Sequence, residues 1–255
     1  MARLVRPVSF ALSTAVLGIA AWYWLQYDTI YRAVDYSMYM DATRRWLGGG
    51  PFYLPQQLAG PYTLVPGDPL YPPVALLLFV PFTMVPAAAW WLVPLGLTAW
   101  GLWRLRPSPI VWPLLALTSW WWTASEKVVA GNPVIWVLAA ECLACSFDWP
   151  GVFVLLKPSL FPFALMGAWR QSWWIALAAF VAISVPFLPM WPQWLSTVLN
   201  ARTPSGPLYS VMEAPLLAMP IVAWLASPRH GPDLPRLFQT LRLRTSRARA
   251  VPKDA

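Results

Sequence analysis

The chain has 255 residues, 58% hydrophobic and only 11% charged, with 19 Trp, 29 Pro and a net charge of +8. With a mean hydropathy of +0.52, this composition excludes a water-soluble domain and points to an integral membrane protein. Much of the positive charge falls after Ser227, from Arg229 to Lys253. That pattern reads as a cytoplasmic tail beside anionic lipid and not as a nucleic-acid surface.

In chain order, Val8 to Leu25 is the first apolar run, preceded by Arg3 and Arg6. It continues into bulky AWYWLQY with no small-residue cleavage site, so an uncleaved first span is expected. The next stretch, AVDYSMYMDATRRWLGGGPFYLP (Ala33 to Pro55), gathers Asp35, Asp41, Arg44 and Arg45 among aromatic residues. Met38, Ala42, Trp46 and Leu47 recur at helical spacing, which predicts a short amphipathic helix in the membrane interface, ended by Gly-Gly-Gly-Pro. Arg44 and Arg45 read as solvated charges on that helix. Asp35, near its N-cap, is either a structural cap or a group aimed at a ligand, and the sequence leaves both open.

Further on, Val74 to Pro86 is only about 20 Å long as a helix and is bracketed by Pro72, Pro73 and Pro86, so it is expected not to cross. Ala87 to Trp103 and Asn132 to Phe147 are span candidates. Cys142 and Cys145 read as small core residues, because no further soft ligands accompany them. Trp149 to Trp169 carries Lys157-Pro158 near its middle, which predicts a break into two half-helices. Glu126 and Glu141 are the expected partners of Lys157. Trp173 to Met190 and Leu208 to Ala226 complete the apolar runs.

Six crossings, with Val74 to Pro86 and Trp149 to Trp169 re-entrant, satisfy the positive-inside rule slightly better than eight. Residues 27–71, 125–132 and 192–207 then share the outer face. The expected fold is all-α: a polytopic transmembrane helical bundle (residues 1–227), its outer loop 27–71 carrying the interfacial helix, followed by a loosely ordered basic tail (228–255).

Several motifs fall in a fixed order: Asp35-Tyr36 after the first span, Gly-Gly-Gly-Pro with Tyr53, Leu70-Tyr71-Pro72-Pro73, Gly131-Asn132, and Leu155-Leu156-Lys157-Pro158-Ser159-Leu160. This order resembles glycosyltransferase family 87, polytopic enzymes of the GT-C fold related to polyprenyl-phosphate-mannose-dependent mannosyltransferases. The likeness covers roughly Val8 to Trp174. It implies a plasma-membrane enzyme that transfers a hexose, mannose first, from a polyprenyl-phosphate sugar to a glycan or glycolipid hydroxyl, with inversion. By position, Asp35 takes the role of general base. Lys157, with Arg45 second, would stabilise the leaving phosphate. Tyr36, Tyr39, Tyr53, Tyr71 and Asn132 would line the sugar site, and the tryptophan-rich helices would offer a groove for the prenyl tail. No cofactor is expected beyond the lipid-linked donor; Asp35 with Asp41 or Asp68 could hold a hard cation loosely. Two departures stand out. Ala130-Gly131-Asn132 lacks the family's glutamine, which bears on donor contact by that loop, and family members run longer, so acceptor binding is expected to be rebuilt, supplied by a protein partner, or lost. The competing reading is a non-catalytic relative that binds lipid-linked sugar or scaffolds its assembly, and a small-solute transporter ranks last.

Overall fold

The structure, a computed structural model, describes residues 2–26, 32–65, 68–120, 122–202 and 213–228. The basic tail from residue 229 onward lies outside the described residues. Helix α1 (Ala2–Gln26) is followed by α2 (Val34–Leu47), α3 (Pro55–Ala59), α4 (Leu76–Phe82) and α5 (Ala89–Leu105). Then come α6 (Trp112–Trp120), α7 (Trp122–Ala130), α8 (Val134–Phe147), α9 (Phe161–Ala164), α10 (Gln171–Ser184), α11 (Trp191–Asn200) and α12 (Ala214–Leu225). Two short strands, β1 (Tyr62–Thr63) and β2 (Ala201–Arg202), pair in parallel. The protein is thus mostly helical, with two helical runs, Leu4–Tyr23 and Gln171–Asn200, long and apolar enough to cross a membrane.

The expected amphipathic helix forms as α2, and Gly48 closes it by donating its N–H to the Arg44 carbonyl. Its buried face differs from the expected one. Tyr39, Met40, Ala42 and Thr43 turn inward, Met38 and Trp46 are half-buried, and Leu47 is exposed. The reason is an aromatic core beneath the helix, where Tyr39, Phe52, Tyr53, Tyr71, Phe79 and Trp90 pack edge to face or tilted. α2 therefore rests on protein along this face.

The proline-bracketed segment is a single 3-10 turn (Pro73–Ala75) leading into the two turns of α4, about 10 Å of α-helix and too short to span alone. The break at Lys157 is present, at φ −126° and ψ 82°. It does not separate two α half-helices: 3-10 segments flank it at Trp149–Leu156 and Pro158–Leu160, and only the four residues of α9 follow in α-form. Three prolines, at 150, 158 and 162, limit regular α pairing there.

Two segments expected as polar outer loops are instead helical. α7 covers most of 125–132, and α11 carries the chain from Trp191 to Asn200, with Pro192 in the first turn where a missing N–H does no harm. All three segments still meet at one end of the molecule. The Ala33 N–H donates to the Val129 carbonyl at 2.9 Å, Asn200 Nδ2 donates to the Gln57 carbonyl at 3.0 Å, and Trp194 Nε1 donates to the Leu70 carbonyl at 3.0 Å. At the opposite end, Ser227 Oγ donates to the Leu105 carbonyl, the Ser108 N–H donates to the Ala226 carbonyl, and the Arg104 guanidinium lies 4.6 Å from the Phe147 ring.

α5 and α8 form the central pair. A Cβ at Gly101 would come within 3.0 Å of Cys142 Cβ and 3.2 Å of its carbonyl oxygen, so small residues permit this close approach. Cys142 and Cys145 are both buried free thiols, and Cys145 Sγ faces the Pro220 carbonyl of α12. Both sit in the core, where the sequence places them.

Candidate functional site

The site is built on the turn that joins α7 to α8. Trp90 Nε1 donates to the Gly131 carbonyl and Trp91 Nε1 to the Val128 carbonyl, each at 2.7 Å, so adjacent indoles of α5 clamp both sides of the turn. Gly131 sits at φ +72°, and a Cβ there would lie 2.6 Å from the Trp91 ring and 2.8 Å from Tyr36 Cβ. Only glycine fits a left-handed backbone pressed between these two side chains.

Asn132 follows and is the hub. Its Nδ2 donates to Asp35 Oδ2 at 2.6 Å, while its Oδ1 accepts from Tyr71 O–H at 3.2 Å and from the Val134 N–H at 3.0 Å. Asp35 lies in the first turn of α2, whose N-cap, Ala33, adopts φ 59° with no side-chain cap. The carboxylate is therefore not a cap. One oxygen is held from a turn 97 residues away, and Oδ1 makes no hydrogen bond to any described residue.

The Tyr71 ring continues the chain: Lys157 Nζ lies 5.5 Å from its centroid. Lys157, 5% exposed, forms an ion pair with Glu213, 3% exposed, immediately before α12. This corrects the expected partners, Glu126 and Glu141. Glu141 is buried within α8 and neither of its carboxylate oxygens has a hydrogen-bond partner among the described residues. A pair as buried as Lys157 and Glu213 gains its cohesion from each charge needing the other in a low-dielectric setting.

The remaining sequence candidates are support. Tyr53 is fully buried and donates to the Tyr71 carbonyl at 2.8 Å; burial pushes its phenol well above the ordinary range, so it stays a donor. Tyr39 meets the Tyr71 ring edge to face at 5.3 Å, and Tyr36 lies against Trp90 and Trp91. Arg45 is turned away from the cluster. Its Nε and one terminal nitrogen donate to the Pro51 and Phe52 carbonyls at 2.7 and 3.0 Å, bracing the loop after α2. Asp41 pairs with Arg44 on the exposed face, and Asp68 accepts from the Val65 N–H. Neither joins Asp35 in a metal-binding group, and no cluster of three or more His, Cys, Asp or Glu occurs among the described residues.

Glu213 is the cluster member that the sequence analysis does not identify. An acid ahead of an apolar run reads as an ordinary helix-start residue, and only the fold reveals that it faces Lys157. The two tryptophans that clamp the Asn132 turn were equally hidden among 19.

Beside the cluster, a cavity of about 340 Å³ is lined by Val74, Leu78, Trp136, Leu143, Phe153 and Leu156, among other apolar residues. Leu156 directly precedes Lys157, and Val74 lies three residues beyond Tyr71.

No protein-family model matches the chain, and no solved structure matches it. Among curated proteins, the chain is similar to the polyprenol-phosphate-mannose-dependent alpha-(1-2)-phosphatidylinositol mannoside mannosyltransferase of Mycobacterium tuberculosis, at 27% identity over 245 residues. The match takes in 77% of this chain and 56% of the relative, so the chain spans little more than half of the relative's length. The similarity supports a mannosyltransferase-like relationship.

Proposed function

We propose that this chain is a membrane glycosyltransferase that transfers a hexose, mannose in the reading we favour, from a polyprenyl-phosphate sugar to a hydroxyl of a glycan or glycolipid acceptor. The observation that carries it is the connected set Asp35, Asn132, Tyr71, Lys157 and Glu213, drawn from five separated segments into one cluster. The similarity to a mannosyltransferase that uses such a donor supports the same reading.

In the proposed reaction, Asn132 orients the Asp35 carboxylate by one oxygen and leaves the other for the acceptor. As the acceptor oxygen bonds to C1 of the sugar, its proton passes to Asp35. The C1–O bond to phosphate breaks on the opposite face, inverting C1, and the bonding electrons leave with the phosphate. Lys157 stabilises that developing charge. Because Glu213 already holds the ammonium, the donor phosphate enters by sharing or displacing this partner. Tyr71 spans the two groups, offering its ring and hydroxyl to the sugar, and the cavity bordered by Leu156 takes the first units of the prenyl tail.

The cluster lies on the outer face and both termini are cytoplasmic in this reading, with a plasma-membrane location. Support comes from Arg6 and Arg106, which line one and the same cavity. Six crossings put these two arginines on one side, whereas eight would put them on opposite sides.

The test is transfer of radiolabel from polyprenyl-phosphate-mannose into a lipid or glycan fraction by membranes carrying the wild type or Asp35→Asn. The expected result is transfer by the wild type alone. Absence of transfer with mannose, glucose and arabinose donors, from folded protein, would favour the binding or scaffolding alternative.

A further inference from the structure

A second cavity is larger and contains none of the five cluster residues, although Val128, just before the Asn132 turn, lines it. It measures about 1180 Å³ and is lined by residues of α1, α5, α6, α7, α8 and α12. α5 and α8 divide the two chambers: Leu97 and Ala139 face the smaller, whereas Leu95, Thr98, Leu102 and Leu138 face the larger. α1 packs chiefly on α6 and the turn before it, which leaves its other flank open along the cavity.

The lining is polarised. Arg6 and Arg106 mark one end, with Ser108 and Ser227 beside them, and apolar side chains form most of the remaining wall. The lining reaches Val128, whose carbonyl meets Trp91, and from Arg106 back to Trp91 α5 rises about 22 Å, most of a hydrocarbon core about 30 Å thick.

We propose that this cavity binds one diacyl phospholipid with an anionic headgroup, its phosphate on Arg6 and Arg106 and its chains along Leu17, Leu102 and Met219. Two guanidinium groups at the mouth of an apolar chamber suit a phosphate joined to acyl chains. The chain's own continuation past Pro228 is strongly basic, so like charge disfavours it as the occupant. The site does not depend on the transfer reaction, since none of its residues belongs to the Asp35 cluster.

The test is native mass spectrometry of the full chain, delipidated in detergent and titrated with dioleoyl phosphatidylglycerol or dioleoyl phosphatidylcholine. The expected result is a one-to-one adduct with phosphatidylglycerol, formed at concentrations where phosphatidylcholine gives little. The double variant Arg6→Gln/Arg106→Gln should weaken it by about tenfold or more. Ala99→Trp, which fills the chamber and leaves both arginines in place, should abolish it. Equal adducts in the wild type and both variants, or no preference for the anionic lipid, would overturn the proposal. A dimer peak removed by Ala99→Trp would overturn it as well, by assigning the cavity to a second copy of the chain.

Discussion

The two ends of α2 carry the same kind of resource, ionised side chains in an apolar protein, and use it in opposite ways. At the last turn, Arg44 and Arg45 bond to Asp41, Pro51 and Phe52, all within seven residues. At the first turn, Asp35 reaches Asn132, 97 residues away, and through it Tyr71. Charges satisfied locally shape a loop, whereas the contact that holds a charge from a distant segment exists only once the whole fold is assembled. The density of charge in this stretch thus has two causes, a brace at one end and a candidate reaction centre at the other.

The sharpest way to break this contrast is to neutralise each end in turn. Asp35→Asn should lower sugar transfer by about 10²- to 10⁴-fold, the range for loss of a general base, while Arg44→Gln/Arg45→Gln should leave transfer within about threefold of wild type, as measured by label incorporation. Next in size, Lys157→Met should reduce transfer by about 10²-fold or more through loss of phosphate stabilisation. It should also lower thermal stability in detergent by about 3–5 kcal/mol, because Glu213 is left as a buried unpaired charge. Adding Glu213→Gln should restore most of the stability and none of the transfer, which separates the chemical role of Lys157 from its structural one.

Smaller effects test the scaffold. Gly131→Ala places a Cβ against Trp91 and Tyr36 at a positive φ and should cost about 1–3 kcal/mol, visible as a lower melting temperature together with weaker transfer. Tyr53→Phe strips the hydrogen bond from the buried Tyr71 carbonyl and should cost about 1–3 kcal/mol. Arg45→Ala should cost about 1 kcal/mol with transfer nearly unchanged, the smallest effect of the series.

Much of this arrangement was legible in the sequence because it rests on local rules. Scarce charge marked the loop after the first span, apolar spacing marked α2, and Lys157-Pro158 marked the break. Grouping Asp35, Tyr71, Asn132 and Lys157 came from the resemblance in motif order, and the fold brings those four into one connected cluster. What stayed hidden depends on three-dimensional partnership. The buried face of α2 is set by aromatic residues brought in from 52–90, so helical periodicity alone selected a neighbouring stripe. Glu213 carries no local signal that it faces Lys157. α7 and α11 stay hidden as helices because polarity in 125–132 and proline in 192–207 mask helix-compatible residues in a short segment.

The central claim is that Asp35 acts on the proton and not on donor binding. Asparagine at this position keeps an oxygen to accept from Asn132 Nδ2, so the variant should preserve the geometry of the cluster. The decisive measurement is donor affinity and transfer in the same reconstituted Asp35→Asn sample, with polyprenyl-phosphate-mannose as ligand. Affinity within about threefold of wild type, with transfer lost, is the result predicted for a general base. Affinity and transfer falling together, or transfer surviving, would contradict it.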